Sequence, residues 1–192
     1  MAQIKNNVDT KELILSCSEK FIIEDGANSF TLKDIAKLSN LSTGTIYYYY
    51  KTKNDLVFDL LQRYMTSLKN DFDDWIVRHN DGSLTKERFI EILLLKGVKL
   101  FNKSKIRLYL INECLADNPT LKERYVTLSK EWEQEIAGGL KMVFPNMKNH
   151  ETFAKLLMLV IDGLTVQEAL NKPNYDYSEI KELLLEFGES YE

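Results

Sequence analysis

Thr43, Gly44 and Thr45, followed by Tyr47, Tyr48 and Tyr49 and then by Lys53, are residues whose types and spacing suit the reading of DNA. Small hydroxyl side chains and a glycine let a helix approach a groove closely and present donors and acceptors to bases or phosphates. Gly44 weakens the helix that holds it and has no other evident use there. Four consecutive tyrosines, Tyr47 to Tyr50, cannot all face inward, because a helix turns about 100 degrees per residue. Ile46 and Tyr50, four apart, share the core face. That leaves Tyr47, Tyr48 and Tyr49 to offer rings to thymine methyls and hydroxyls to phosphates. Lys53 falls in the first turn of the next helix, where free amides and the positive end of the dipole favour an anion, and a phosphate is the expected partner.

Three helix starts packed between Thr31 and Leu56 must position these groups. Thr31 with Asp34, Ser42, and Thr52 with Asp55 each place a side-chain oxygen where it can accept orphan amide protons, and Thr31 and Ser42 are also counted in the expected DNA-binding set. The first helix of the pair is short, with Ile35, Ala36 and Leu38 on its buried face. Ser39-Asn40 breaks it, and Asn40 suits a sharp left-handed turn. Leu41 precedes the Ser42 cap and can staple onto Ile46, which fixes the entry angle of the second helix. The pattern is a helix-turn-helix followed directly by another helix, with 42–50 as the recognition helix.

Residues 9–63 closely resemble the DNA-binding domain of TetR-family transcriptional regulators. The resemblance is carried by Ile14, Cys17, Phe21 and Ile22 of a leading helix, then Gly26, the Thr31 start, Ile35-Ala36, Gly44-Thr45-Ile46-Tyr47, and Lys53-x-Asp55-Leu56. Two departures, Tyr50 where the family usually has phenylalanine and Asn40 where the turn is often glycine, are chemically compatible with it. The resemblance implies a homodimer on a palindromic double-stranded DNA operator. It also implies an all-helical C-terminal domain that accepts a small-molecule effector, with repression the commoner outcome.

Composition sets outer bounds. A 192-residue chain that is 44% hydrophobic, with only three prolines and eight glycines, can bury a full core and form long helices. No basic, apolar leader is seen and no apolar run approaches the roughly 18 residues that span a bilayer, so a soluble, cytoplasmic protein with no membrane partner is expected. Cys17 and Cys114 lack CxxC or histidine partners and read as buried thiols in a reducing compartment. Basic and acidic residues balance over 1–63, so the formal net charge of −4 falls on the remainder. Lys33, Lys37, Lys51 and Lys53 nonetheless cluster at the helix-turn-helix, while an acidic remainder discourages non-specific adhesion to DNA. Without the motif, those lysines would read as an ordinary solvated face.

The fold class expected is all-α: a three-helix helix-turn-helix domain over 1–52 and a helical effector-binding and dimerisation domain over 53–192. Periodicity predicts one long helix from Lys53 to about Arg78, stopped by Asn80-Asp81-Gly82-Ser83. Further helices are expected from Thr85 through Phe101, from Ile106 to Ala116, from Pro119 to about Phe144 with Gly138-Gly139 as a weak spot, from about His150 to Asn171, and from Ser178 to Gly188. In the last two, Phe153, Leu157, Val160, Ile161 and Leu164 with Ile180, Leu183, Leu184 and Phe187 recur at helical spacing. Periodicity alone leaves core and dimer interface equally open; the resemblance favours the interface, through Ile161-Asp162-Gly163-Leu164.

An effector pocket is expected among Phe72, Trp75, Phe89, Phe101, Tyr109, Tyr125 and Trp132, with Asn112 and Glu113 as polar groups, although for each aromatic taken singly the plain-core reading outweighs the pocket. The long helix would then touch pocket and DNA face alike. No cofactor, metal or catalytic residue is expected. His79 and His150 lack metal-ligand spacing, and glycine-rich phosphate loops and GxSxG are absent, which argues against an enzyme. A helical adaptor is the other rival, and it gains nothing from small polar residues at Thr43-Gly44-Thr45.

Overall fold

The computed structural model describes residues 2–78, 85–99, 101–116, 118–170 and 176–191; within these, the side chains of 2–9, 71–72, 75–78, 96–99 and 101–104 lie outside the description. Nine helices occur among the described residues: α1 Ala2–Asp25, α2 Leu32–Leu38, α3 Thr43–Tyr49, α4 Lys53–Arg78, α5 Lys86–Lys99, α6 Phe101–Leu115, α7 Pro119–Val143, α8 His150–Ala169 and α9 Tyr177–Glu189. Their contacts divide the chain into two compact units, Met1–Thr66 with Lys105–Lys122, and Ser67–Ser104 with Glu123–Glu192. The expected division at 52/53 thus differs from the contact division. The first half of α4, most of α6 and the start of α7 belong to the same unit as the helix-turn-helix.

In the first unit, local chemistry sets every boundary. Gly26 (φ 88°) ends α1 in the left-handed region, its amide donating to the Ile22 carbonyl at 3.1 Å. Thr31 caps α2 in a complete capping box with Asp34. Asn40 (φ 54°) closes α2: its amide donates to Lys37 O at 3.3 Å and that of Leu41 to Ala36 O at 3.0 Å, the paired bonds of a Schellman turn. Asparagine tolerates the left-handed region that most side chains avoid, so the tight turn follows from sequence. Leu32, Ile35 and Ala36 are buried, whereas Leu38, expected with them, is 46% exposed. On a two-turn helix the buried stripe is centred on 32, 35 and 36, and position 38 lies beyond its edge.

Cross-links then fix these helices on one another. Arg63 of α4 donates to Glu12 at 3.1 Å and to Glu19 at 2.6 Å, both on α1. Lys11 pairs with Asp59 at 2.7 Å, and the Tyr50 hydroxyl donates to the same carboxylate at 3.2 Å. Tyr50 is buried, so its hydroxyl needs a partner, and Asp59 explains how tyrosine is accommodated where the family usually has phenylalanine. Burial and the nearby Asp59 push its ionisation far above the ordinary phenol range.

The second unit is built around Phe89, Leu94, Leu140, Phe144, Phe153 and Leu157, with α5 packed against α8 and α9. Gly188 lets α9 close on this core, because a Cβ there would stand 2.9 Å from Phe144 Cε1 and 3.2 Å from Phe153 Cε1. The helices expected from Thr85 through Phe101 and from Ile106 to Ala116 are described as α5, Lys86–Lys99, and α6, Phe101–Leu115, with residue 100 between them outside the described residues, and α7 runs as one segment through Gly138-Gly139. The expected stop at 80–83 lies outside the described residues. Asn118 caps α7, its Oδ1 accepting from the Leu121 amide at 3.1 Å, and Pro119 takes the first helical position, where no amide is missed.

Candidate nucleic-acid interface

Helix α3 presents two distinct faces. Ile46 and the capping residue Tyr50 are buried; Ser42, Thr43, Gly44, Tyr47 and Tyr48 are exposed, and Thr45 and Tyr49 lie at the margin. Tyr48 is 71% exposed and meets Tyr49 edge-to-face at 5.2 Å between ring centres. Such exposure of a large ring on a rigid helix has no purpose inside the fold. Ser42 Oγ accepts from the Thr45 amide at 3.0 Å and lies 2.8 Å from the Thr45 hydroxyl, so these two hydroxyls are engaged in capping. A Cβ built on Gly44 would meet only Ser42 Oγ, at 3.7 Å, which is ordinary contact. Packing therefore does not require glycine at this position.

The lysines divide in a way that sequence did not reveal. Lys33 and Lys37, one turn apart on α2, are exposed, and Lys37 makes only a 4.0 Å pair with Asp34. Lys51 Nζ donates to the Tyr47 carbonyl at 2.9 Å, at the C-terminal end of α3 where a cation complements the dipole. Lys53, expected at a phosphate, turns inward: its Nζ donates to the Phe30 carbonyl at 2.8 Å and lies over the Phe30 ring at 4.4 Å. Burial depresses its pKa, and the Glu113 carboxylate partly offsets that. Spacing alone placed Lys53 in the first turn of α4. It carried no information on which way a four-carbon stem would lie.

Residues 14–60, which hold the whole of α2 and α3 and the start of α4, match the family described as bacterial regulatory proteins, tetR family. Over those residues the chain is similar to the TetR family's N-terminal domain. An uncharacterized HTH-type transcriptional regulator of Haemophilus influenzae is 33% identical over 70 residues, covering 34% of this chain and 37% of that one. The HTH-type transcriptional regulator QacR of Staphylococcus aureus is 37% identical over 54 residues, 28% of this chain and 29% of its own. These alignments thus span about a third of each curated relative. A TetR transcription regulator from Haloarcula marismortui has the same fold, with a TM-score of 0.66 over 96% of both chains at 19% identity. These curated relatives are HTH-type regulators of transcription.

The described members of the expected effector set are divided between the two units. Phe72, Trp75 and Phe101 have side chains outside the description. Phe89 is fully buried in the second unit's core, and Trp132, half-buried, packs against that core. Asn112 is exposed rather than turned inward, and Tyr125 is half-buried in the same unit as Trp132. Tyr109 and Glu113 belong to the first unit, where Tyr109 donates to Asn54 Oδ1 at 2.7 Å and Glu113 accepts from Asn54 Nδ2 at 2.9 Å. Burial and Glu113 push the Tyr109 phenol up to about 12. Cys17 and Cys114, expected to be buried, are half-buried; burial still raises both thiols, which keeps them from the reactive thiolate form.

Of the expected interface residues, Phe153, Leu157, Ile161, Leu164 and Leu184 face inward as core, Val160 and Ile180 are half-buried, and Leu183 and Phe187 are exposed. Leu159, Gly163 and Val166 form a second, exposed stripe along α8, which the exposed capping residue Leu170 continues. Leu159 and Leu183 are each 68% exposed. Beside them lies a groove of about 490 Å³ lined by Met147, Phe153, Leu156, Leu159, Phe187 and Tyr191. Because α8 is apolar on two faces, periodicity could not say which was which. Among the described residues no helix is long and apolar enough to cross a membrane.

Proposed function

We propose that this chain is a homodimeric, ligand-responsive transcriptional repressor that acts in the cytoplasm and binds a palindromic operator through α3. The observation that carries this reading is the outer face of α3, where Thr43, Gly44, Tyr47 and Tyr48 stand exposed above a helix locked by caps at both ends. Thr45 and Tyr49 flank that face, and Lys33 and Lys37 on α2 supply the charge that a phosphate backbone attracts. Self-association would cover the apolar stripe of α8 and its neighbours Leu183 and Phe187 on α9, and a two-fold pair reads two half-sites where one short helix reads too few bases. Selection of bound duplexes from a random pool tests the reading. Recovery of an inverted repeat, with half-sites about 10 base pairs or a multiple apart, is the expected result. A pool that shows no enrichment over many rounds would refute it.

A further inference from the structure

Lys53 and Asn54, the first two residues of α4, are both engaged by one face of α6. Lys53 Nζ lies 4.4 Å from the Phe30 ring centre and 5.4 Å from that of Tyr109, and donates to the Phe30 carbonyl at 2.8 Å. Asn54 is held from both ends of its amide: the Tyr109 hydroxyl donates to Oδ1 at 2.7 Å, and Nδ2 donates to Glu113 Oε2 at 2.9 Å. Tyr109 and Glu113 are one helical turn apart, so a single movement of α6 would release both. All of these groups lie in the first unit.

We propose that this cluster is an autoinhibitory latch, in which Tyr109 and Glu113 of α6 retain Lys53 at Phe30 and so withhold its ammonium from a DNA phosphate. The idea rests on the DNA-binding reading above. Inside the protein the ammonium has one neutral carbonyl, two ring faces and a carboxylate at longer range, a partial replacement for water that leaves its pKa depressed. A phosphate would supply a full opposite charge at the same end of α4, where the helix dipole adds to it. The two positions of Lys53 are therefore in competition. What α6 does to Asn54 and Tyr109 decides the outcome.

The test is fluorescence anisotropy on a duplex selected from a random pool, using the full-length chain, Tyr109→Leu and Glu113→Gln, each with and without Lys53→Ala. Tyr109→Leu alters no charge, and Glu113→Gln keeps a group of the same shape, so one of them remains readable if the other fails to fold. Each single substitution should tighten binding by about fivefold or more, the low end of ordinary coupling between sites. The gain should vanish when Lys53 is alanine. Unchanged affinity, or a gain that survives Lys53→Ala, overturns the latch while leaving DNA binding intact. Failure of the parent chain to bind any selected duplex overturns both.

Discussion

Gly44 is the residue at which stability and function are expected to part. It sits in the first turn of α3 with room for a methyl group, since the nearest atom to a Cβ there is Ser42 Oγ at 3.7 Å. Alanine should therefore stabilise the helix by up to about 1 kcal/mol, raising the melting temperature of a chain this long by about 2–4 °C. The same methyl would hold DNA away from the exposed face that Tyr48 shares, and operator affinity should fall by about tenfold, the equivalent of about 1.4 kcal/mol. Thermal melts and anisotropy on the one variant decide the matter. A Gly44→Ala protein that is both more stable and fully DNA-competent would mean that glycine serves no contact.

At the scale of elements, α2 and α9 each hang on one local device. The α2 capping box holds the Asp34 carboxyl below the usual carboxylate range through hydrogen bonds from the Thr31 side chain and backbone. With a folded pKa below the unfolded value of about 3.9, the cap contributes fully above that value and is lost as pH falls through the folded pKa. An NMR titration of Asp34 should give a midpoint below that of an unstructured aspartate; a midpoint at or above it would contradict the capping box. For α9 the device is Gly188, whose missing side chain leaves room for Phe144 and Phe153. Gly188→Ala should cost about 1–3 kcal/mol in urea unfolding, the usual range for overpacking. Gly163→Ala, which meets nothing within 4 Å, should leave the unfolding of the monomer nearly unchanged. Equal effects at the two glycines would show that packing around 188 relaxes freely.

For the whole molecule, assembly separates exposed apolar residues from buried ones. Leu159→Glu with Leu183→Glu places charges on side chains that are each 68% exposed, so the fold should persist while sedimentation shows monomers and operator binding loses its cooperativity. Leu164→Glu with Leu184→Glu instead drives two carboxylates into the core, where an unpaired charge is not tolerated, and should abolish folding. Helical content by circular dichroism, read beside sedimentation, tells the two pairs apart. A Leu159→Glu/Leu183→Glu chain that stayed dimeric would move the interface off α8 and α9.

By itself the sequence determined what is local in the chain. The caps at Thr31, Ser42 and Thr52, the left-handed turn at Asn40, the division of α3 into buried Ile46 and Tyr50 and exposed Tyr47 and Tyr48, and the full span of α4 all depend on atoms within about one helical turn. Hydrogen-bond geometry over such distances leaves few alternatives. Tertiary structure alone decided matters that involve distant partners. The stem of Lys53 can reach solvent or Phe30, and the Phe30 carbonyl and ring, with the Tyr109 ring of α6 beside them, hold it in the inward position. The two apolar faces of α8 have the same period, and only the neighbours that cover one of them distinguish core from surface. Phe89 and Asn112 likewise look equally able to line a cavity in sequence; packing buries the first and leaves the second in water. Periodicity reports that a residue lies on a face, and what meets that face is set by the rest of the chain.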